Sequence, residues 1–224
     1  MAYKQNKIFT TPYGTGCWLN LQVPQLYENK ERFKGDLGKY SADIAVDPSD
    51  KKVQAWMEDI EAYCNDLLEE WKDEQKKPKH TKIPAESKWL PIKDDLDEEG
   101  NATGLKRIVA RTNANGMIKR GPREGQMWSA TLPIVDQHKR AISFSEDGGQ
   151  DRILGRGTRL RMNIEPSVYT VAGTEYCRVS FRLHGAQVSH PEWRGGMTDA
   201  TAFDDAEDEM DTIADLSSDN GGDF

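Results

Sequence analysis

Two stretches in the last third of the chain, "TRLRMNI" and "EYCRVSFRL", alternate with a period of two. In the first, Thr158, Leu160, Met162 and Ile164 share one face, while Arg159 and Arg161 share the other. In the second, Cys177, Val179, Phe181 and Leu183 face inward and Tyr176, Arg178, Ser180 and Arg182 face outward. Such alternation demands strands with one buried and one wet face. The same period appears early. In "GCWLNLQV" it puts Cys17, Leu19, Leu21 and Val23 opposite Trp18, Asn20 and Gln22. In "KYSADIAV" it aligns Tyr40, Ala42, Ile44 and Val46. Further strands are expected near Leu105–Arg111, Gln126–Val135 and Lys139–Phe144, and the last two run Thr158–Ile164 and Thr174–Val188. "TNANG", "DQHK", "EDGGQ" and "TVAGT" supply the turns.

One segment changes period. Val53, Trp56, Met57, Ile60, Cys64, Leu67, Leu68 and Trp71 recur at helical spacing, predicting a helix over about 48–77. Asp47 is placed to cap it, Pro48 suits its first position, and Asp50 meets the positive end of its dipole. Lys72, Lys76 and Lys77 suit its end, and Pro78 discourages continuation. A proline- and charge-rich loop is expected over about 78–104. Short strands with one inserted helix predict a mainly β, α+β chain. The expected form is an oligonucleotide-binding (OB) barrel with a helix after the second strand, and a β-sandwich is the competing fold.

Charge is unevenly placed. From Met197 to Phe224 the chain holds ten of its 38 acids and none of its 30 bases. Without that segment the balance is 28 acids against 30 bases, and Asn101–Trp193 carries fourteen Lys and Arg against eight Asp and Glu. The expected organisation is therefore a domain over 1–196 and a disordered acidic tail over 197–224. A basic half beside an acidic tail points to a polyanion site and a competitor for it. The beginning lacks the apolar stretch of a secretory signal, and no apolar run is long enough for a bilayer helix. Cys17, Cys64 and Cys177 lie far apart, so a reducing cytoplasm is the expected setting.

Single-stranded nucleic acid needs cations along its phosphates and rings for its unstacked bases. Arg159, Arg161, Arg178 and Arg182 suit the first role; Trp18, Tyr169 and Tyr176 suit the second. Arg156 sits between Gly155 and Gly157, a turn that also needs no function. Lys139 and Arg140 fall at a hairpin tip, where charge is ordinary. Lys106, Arg107 and Arg111 add bases but cannot all share one face. Trp128 is expected to pack inside the barrel, and Trp56 and Trp71 to be core contacts. His80, His138, His184 and His190 are scattered. The body carries no Cys-His, Ser-His-Asp or clustered carboxylate pattern, so no catalytic residue, metal or cofactor is expected. Acids explain a solubilising tail, but they do not explain Phe224, whose ring and carboxylate would make a compact anchor.

The chain resembles the single-stranded DNA-binding proteins of T-seven-like bacteriophages. The resemblance rests on "KIFTTPYGTG", "GKYSADIAVDPSDKKVQAWMEDIEAY", "IVDQHKR", "LGRGTRLRMNIEPSVYTVAGTEYCRVSFRL" and the ending "DNGGDF". It implies an OB fold with an added helix, sequence-independent binding of single strands, and no catalysis. It places Lys7 in a basic N-terminal segment and Tyr169 in a loop of aromatic DNA contacts. Near "GDLGKY", Leu37 or Lys39 stands where an arginine would be looked for. The segment Lys77–Thr103 departs from the family.

The resemblance further implies a tail that contacts a phage DNA polymerase and primase-helicase and restrains DNA binding. Asp204, Asp205, Glu207, Asp208, Glu209, Asp211, Asp223 and Phe224 would make that contact. It allows a homodimer and implies the cytoplasm of an infected bacterium. The function expected is protection of single strands in phage replication and recombination. Two rivals stand beside it: an acidic DNA mimic that sequesters a DNA-binding protein, and a nuclease or strand-transfer enzyme.

Overall fold

A computed structural model describes residues 6–27, 37–74, 89–142, 153–171 and 174–194. Its strands are β1 (Phe9–Thr10), β2 (Gly14–Tyr27), β3 (Leu37–Val46), β4 (Ile92–Leu96), β5 (Ala102–Asn113), β6 (Asn115–Met117), β7 (Met127–Ser129), β8 (Ile134–Val135), β9 (Arg159–Thr170) and β10 (Cys177–His190). The helix α1 spans Lys51–Glu74. Five strands close a barrel in the order β2-β3-β5-β10-β9, with β9 returning to β2 through Gly14↔Leu160 and Thr15↔Arg159. Every barrel pairing is antiparallel except β5–β10, which is parallel. This is the OB-fold, with α1 inserted after the second barrel strand. Gly14 stands at the closure, where a Cβ would lie 2.6 Å from the Ala45 carbonyl oxygen. Only glycine lets the two chains approach that closely.

The period-two alternation fills the barrel as expected. Leu160, Met162 and Ile164 are fully buried, as are Ala42 and Ile44, and Val179, Phe181 and Leu183 are nearly so. The helix adds Val53, Ile60, Cys64 and Leu68 to the same core, and Trp56, Met57 and Trp71 pack against it half-buried. Burial pushes the Cys64 thiol up to about 12, with Glu61 adding to the effect.

Local chemistry corrects several sequence expectations. Asp50, not Asp47, caps α1: its carboxylate accepts from the Lys52 amide at 2.7 Å. Asp47 instead accepts from the Ser49 amide and hydroxyl, closing the turn that holds Pro48. The helix therefore starts at Lys51 rather than near 48. Cys17 and Val23 do not face inward. The β2–β3 register shifts between Gly16 and Trp18 and again between Asn20 and Gln25, which turns Cys17 half out and leaves Val23 60% exposed.

The loop expected over 78–104 contains β4, which pairs with β5 in a hairpin. The strand expected over Gln126–Val135 divides into β7 and β8, and the intervening Pro133 accepts from the Ala186 amide. Lys139–Phe144 does not begin as a strand. The Asp136 carboxylate accepts from the amides of His138 at 2.7 Å and Arg140 at 2.9 Å, which closes a turn with Lys139 at φ 63°. Those bonds, the Arg140 amide foremost, hold the Asp136 carboxyl below the usual carboxylate range.

Candidate nucleic-acid interface

The parallel β5–β10 seam is joined at a single register pair, Arg111↔Arg182. Below it the seam is bridged by the segment Trp89–Pro91, whose carbonyls accept from Val179 and Val109. The groove along this seam has a volume of about 510 Å³. Its walls come from β3, β5, β7, β9 and β10. Lys39, Arg111 and Arg182 line it, and no carboxylate does. Two exposed rings, Trp128 and Tyr169, stand in its walls, and Val109, Val179 and Phe181 also line it, the last two with their side chains buried in the barrel core. Arg111 and Arg182 have no ion-pair partner among the described residues. Cations without carboxylates, rings with open faces and a concave floor are what an unpaired polynucleotide requires.

β-pairing explains how these side chains come together. Register aligns Lys39 with Asn113, Ser41 with Arg111, and Arg111 in turn with Arg182. On the far wall Tyr169 lies across from Arg178, and Ser167 across from Ser180, their hydroxyls 3.0 Å apart. The Nε of Arg178 is buried with no hydrogen-bond partner. Beyond Asn20 and Ser41, which bond at 3.3 Å, Trp18 stands on the same outer face of β2, opposite Asp43. Trp18 is 47% exposed.

Asp43 is the anomaly on this face. Its side chain is buried and its Oδ1 has no hydrogen-bond partner. Burial raises its carboxyl above the usual range, against the opposing pull of Arg111, Lys93 and Arg107. Lys93 pairs in register with Arg107 across β4–β5.

The other residues expected in the site lie elsewhere or are already engaged. Arg107 bonds Asp95 through Nε at 2.8 Å and through Nη2, while Thr103 donates to the other Asp95 oxygen at 3.0 Å. Lys106 pairs with Asp94 on the same hairpin. Lys7 sits 4.3 Å from the Phe9 ring centroid and 3.7 Å from Asp59, tying the N-terminal strap to α1. Tyr176 is exposed in the turn before β10, its carbonyl accepting from Val171.

A second basic group gathers at the other end of β9. Arg161 donates to Gln187 at 2.7 Å and lies 4.9 Å from the Tyr13 ring centroid. Gln187 donates to the carbonyls of Asp136 and Gln137, which brings in the turn bearing Lys139 and Arg140. Arg140 is paired with Asp136 at 2.8 Å. Arg159 is exposed beside them, across from His190. Arg161 and Tyr169 are eight residues apart on one strand, about 26 Å. Between them Glu165 and His184 bond at 2.6 Å. Arg156 is exposed in its glycine turn, 3.9 Å from Glu98.

Trp128 is not inside the barrel. It belongs to the separate β6–β7 ribbon, directly across from Gly116, and is 36% exposed. Lys39, noted in the sequence only as standing where an arginine would be looked for, lines the groove, as does Asn113, which the sequence did not single out. The alternation of "KYSADIAV" was legible for its inward face, and Lys39 follows from the opposite parity. The tail residues Asp204, Asp205, Glu207, Asp208, Glu209, Asp211, Asp223 and Phe224 lie outside the described residues. Among the described residues no group of three or more His, Cys, Asp and Glu side chains could hold a metal ion. No described helix is long and apolar enough to cross a membrane.

No protein-family model matches the chain. A curated protein from Sarocladium schorii, named putative hetero-Diels-Alderase asR5, is 28% identical over 76 residues, or 34% of this chain. The chain spans only 18% of the length of that relative. Among solved structures, gp2.5, a single-stranded DNA-binding protein encoded by bacteriophage T7, superposes with a TM-score of 0.53 at 19% identity, covering 98% of this chain and 99% of that one. The single-stranded DNA-binding protein from bacteriophage Enc34 in complex with ssDNA gives a TM-score of 0.53 at 16% identity, covering 84% and 89%. A C-terminal truncation of the Enc34 protein gives 0.53 over 83% and 86%. The chain thus shares the fold of phage single-stranded DNA-binding proteins.

Proposed function

We propose that this protein binds single-stranded DNA without sequence preference, in phage replication and recombination. One observation carries the reading: the β5–β10 groove holds Lys39, Arg111 and Arg182 without a carboxylate, between the exposed rings of Trp128 and Tyr169. Phosphates take the cations and unstacked bases take the rings, which is a sequence-tolerant mode because every base has a flat face. The shared fold with gp2.5 and the Enc34 protein supports it. Arg178, Trp18 and the second group of Arg159, Arg161, Lys139 and Arg140 extend the path. No chemical step is required of the protein.

In the same proposal the domain ends near 196, and the acids of 197–224 compete with DNA until a replication protein takes them. Phe224 then fills an apolar pocket on that partner, a polymerase or primase-helicase. The setting would be the cytoplasm of an infected bacterium. Oligonucleotide titration at several salt concentrations tests the reading. Affinity should fall as salt rises, with a log–log slope of roughly −0.7 per phosphate contacted. Absence of binding would overturn it and favour an acidic DNA mimic, which repels DNA. Labelled DNA incubated with magnesium should stay intact; cleavage would favour a nuclease.

A further inference from the structure

The β6–β7 ribbon stands outside the barrel yet is firmly rooted in it. The Ala114 amide donates to Gly38 at 2.7 Å, and the Gly38 amide donates to the Asn115 side chain at 2.8 Å. The Ala130 amide donates to Ala114 at 2.7 Å, and the Tyr40 hydroxyl donates to Ala130 at 3.2 Å. A free two-stranded ribbon is marginal in water, so these bonds account for its order at the root. They do not account for its tip.

The tip is built, and among the described residues it stands open to solvent. The Ile118 amide donates to Gln126 and the Gly125 amide to Ile118 across it, Glu124 donates to Gly121, and Gln126 donates to Arg123. Gly121 and Gly125 adopt positive φ there. Residues 119–131 are all exposed. The tip sequence "IKRGPREG" carries Lys119, Arg120 and Arg123 against one acid, Glu124. None of the three cations has an ion-pair partner among the described residues.

Trp128 connects this tip to the groove. A Cβ on Gly116 would lie 2.9 Å from the indole Nε1 and 3.0 Å from Cε2 and Cζ2. The missing side chain lets the ring rest on the ribbon backbone, and the same ring lines the groove that Tyr169 enters from the opposite wall. A solvated turn accounts for exposed Lys and Arg. It does not account for a tryptophan held by a glycine on the groove side of the ribbon.

We infer that the β6–β7 ribbon is an arm of the single-strand site: Trp128 stacks a base at the groove wall, and Lys119, Arg120 and Arg123 hold the phosphates of the nucleotides beyond it. The inference rests on the proposed single-strand binding and assigns it residues outside the barrel.

The test uses the full chain and fluorescein-labelled oligo-dT, titrated across a salt series. The Lys119→Ala/Arg120→Ala/Arg123→Ala variant should lose roughly tenfold or more in affinity at low salt, and its salt slope should shrink by about 2. Trp128→Ala should lose about tenfold and Trp128→Phe much less, because a ring is retained. DNA-induced quenching of tryptophan fluorescence should drop in Trp128→Phe. If Trp128→Ala fails to fold, the triple variant decides, since all three of its positions are exposed. Unchanged affinity and slope in the triple variant would overturn the inference while leaving single-strand binding in place, provided the unmodified protein binds and Tyr169→Ala weakens it. No binding by the unmodified protein would instead overturn the proposed function together with the arm.

Discussion

Tyr169 on β9 stands directly across the antiparallel pair from Arg178 on β10, whose Nε is buried and without a partner. The ring is 43% exposed and forms one wall of the groove. An exposed aromatic ring on a groove wall has a reason to exist if a base stacks on it. Tyr169→Ala should therefore cost about 1–3 kcal/mol of oligonucleotide binding with little change in melting temperature. Titration and thermal unfolding of the same sample separate the two effects. Unchanged affinity in a folded variant would remove Tyr169 from the site.

Arg107 should behave in the opposite way. Its guanidinium is committed to Asp95, which is buried and also bonded by Thr103. Removing Arg107 leaves a buried carboxylate without its cation, so Arg107→Ala should destabilise the fold by about 3 kcal/mol. DNA affinity at a temperature where the variant is folded should change little. A larger loss in binding than in stability would mean that the guanidinium is shared with phosphate.

The difference between these two residues shows where sequence stops being legible. The barrel interior was readable because Leu160, Met162, Ile164 and Ile44 sit at strict alternating positions whose burial leaves no other reading. Arg107 was not, because Asp95 is twelve residues away in a hairpin whose first strand, "IKDDL", is short, largely charged and shifted in register between Asp94 and Leu96. Cys17 and Val23 were misplaced by register shifts, which leave no mark in local periodicity. Trp128 alternates as a core residue would. Only its pairing with Gly116 shows that it stands on a ribbon outside the barrel. The groove itself arises where two parallel strands touch at one register pair, a long-range property with no local signal.

Cysteine reactivity provides a check on the register shift in β2. Cys17 is partly accessible, whereas Cys64 and Cys177 are buried and all three thiols are raised by burial. Maleimide should modify Cys17 alone in the native protein, slowly, and the other two only after unfolding. Mass spectrometry of peptides from timed samples reads this directly. Native labelling of Cys64 would contradict the packing of α1 on the barrel.

Deleting 197–224 should tighten single-strand binding, because a tethered polyanion competes at high effective concentration. Removing Phe224 alone should leave that affinity nearly unchanged but lower affinity for a replication partner by about 2 kcal/mol, the value of one buried aromatic. Titration of the full-length, tail-deleted and Phe224-deleted proteins against DNA and partner distinguishes the two roles. Equal partner affinity with and without Phe224 would leave the tail a simple polyanion.

Asp43 gives the groove face a pH dependence whose sign follows from its burial. Its carboxyl is raised, chiefly by desolvation, against the attraction of Arg111, Lys93 and Arg107. The folded state therefore holds this proton more tightly than the unfolded state. Stability from this group is greatest below the ordinary aspartate value of 3.8 and is lost as pH rises through the raised value. Asp43→Asn removes the buried charge and keeps the shape. Its melting temperature should exceed that of the unmodified protein at neutral pH, and the gap should close as the pH falls through the aspartate range. Single-strand affinity should also rise at neutral pH and low salt, since a negative charge leaves a face whose nearby cations are Lys93, Arg107 and Arg111. Thermal unfolding of both proteins from pH 3 to 8, as a difference, cancels the other carboxylates. A gap independent of pH would mean that the three cations balance burial and leave the Asp43 carboxyl unshifted on folding, and a gap that grows as the pH falls would mean that they outweigh it.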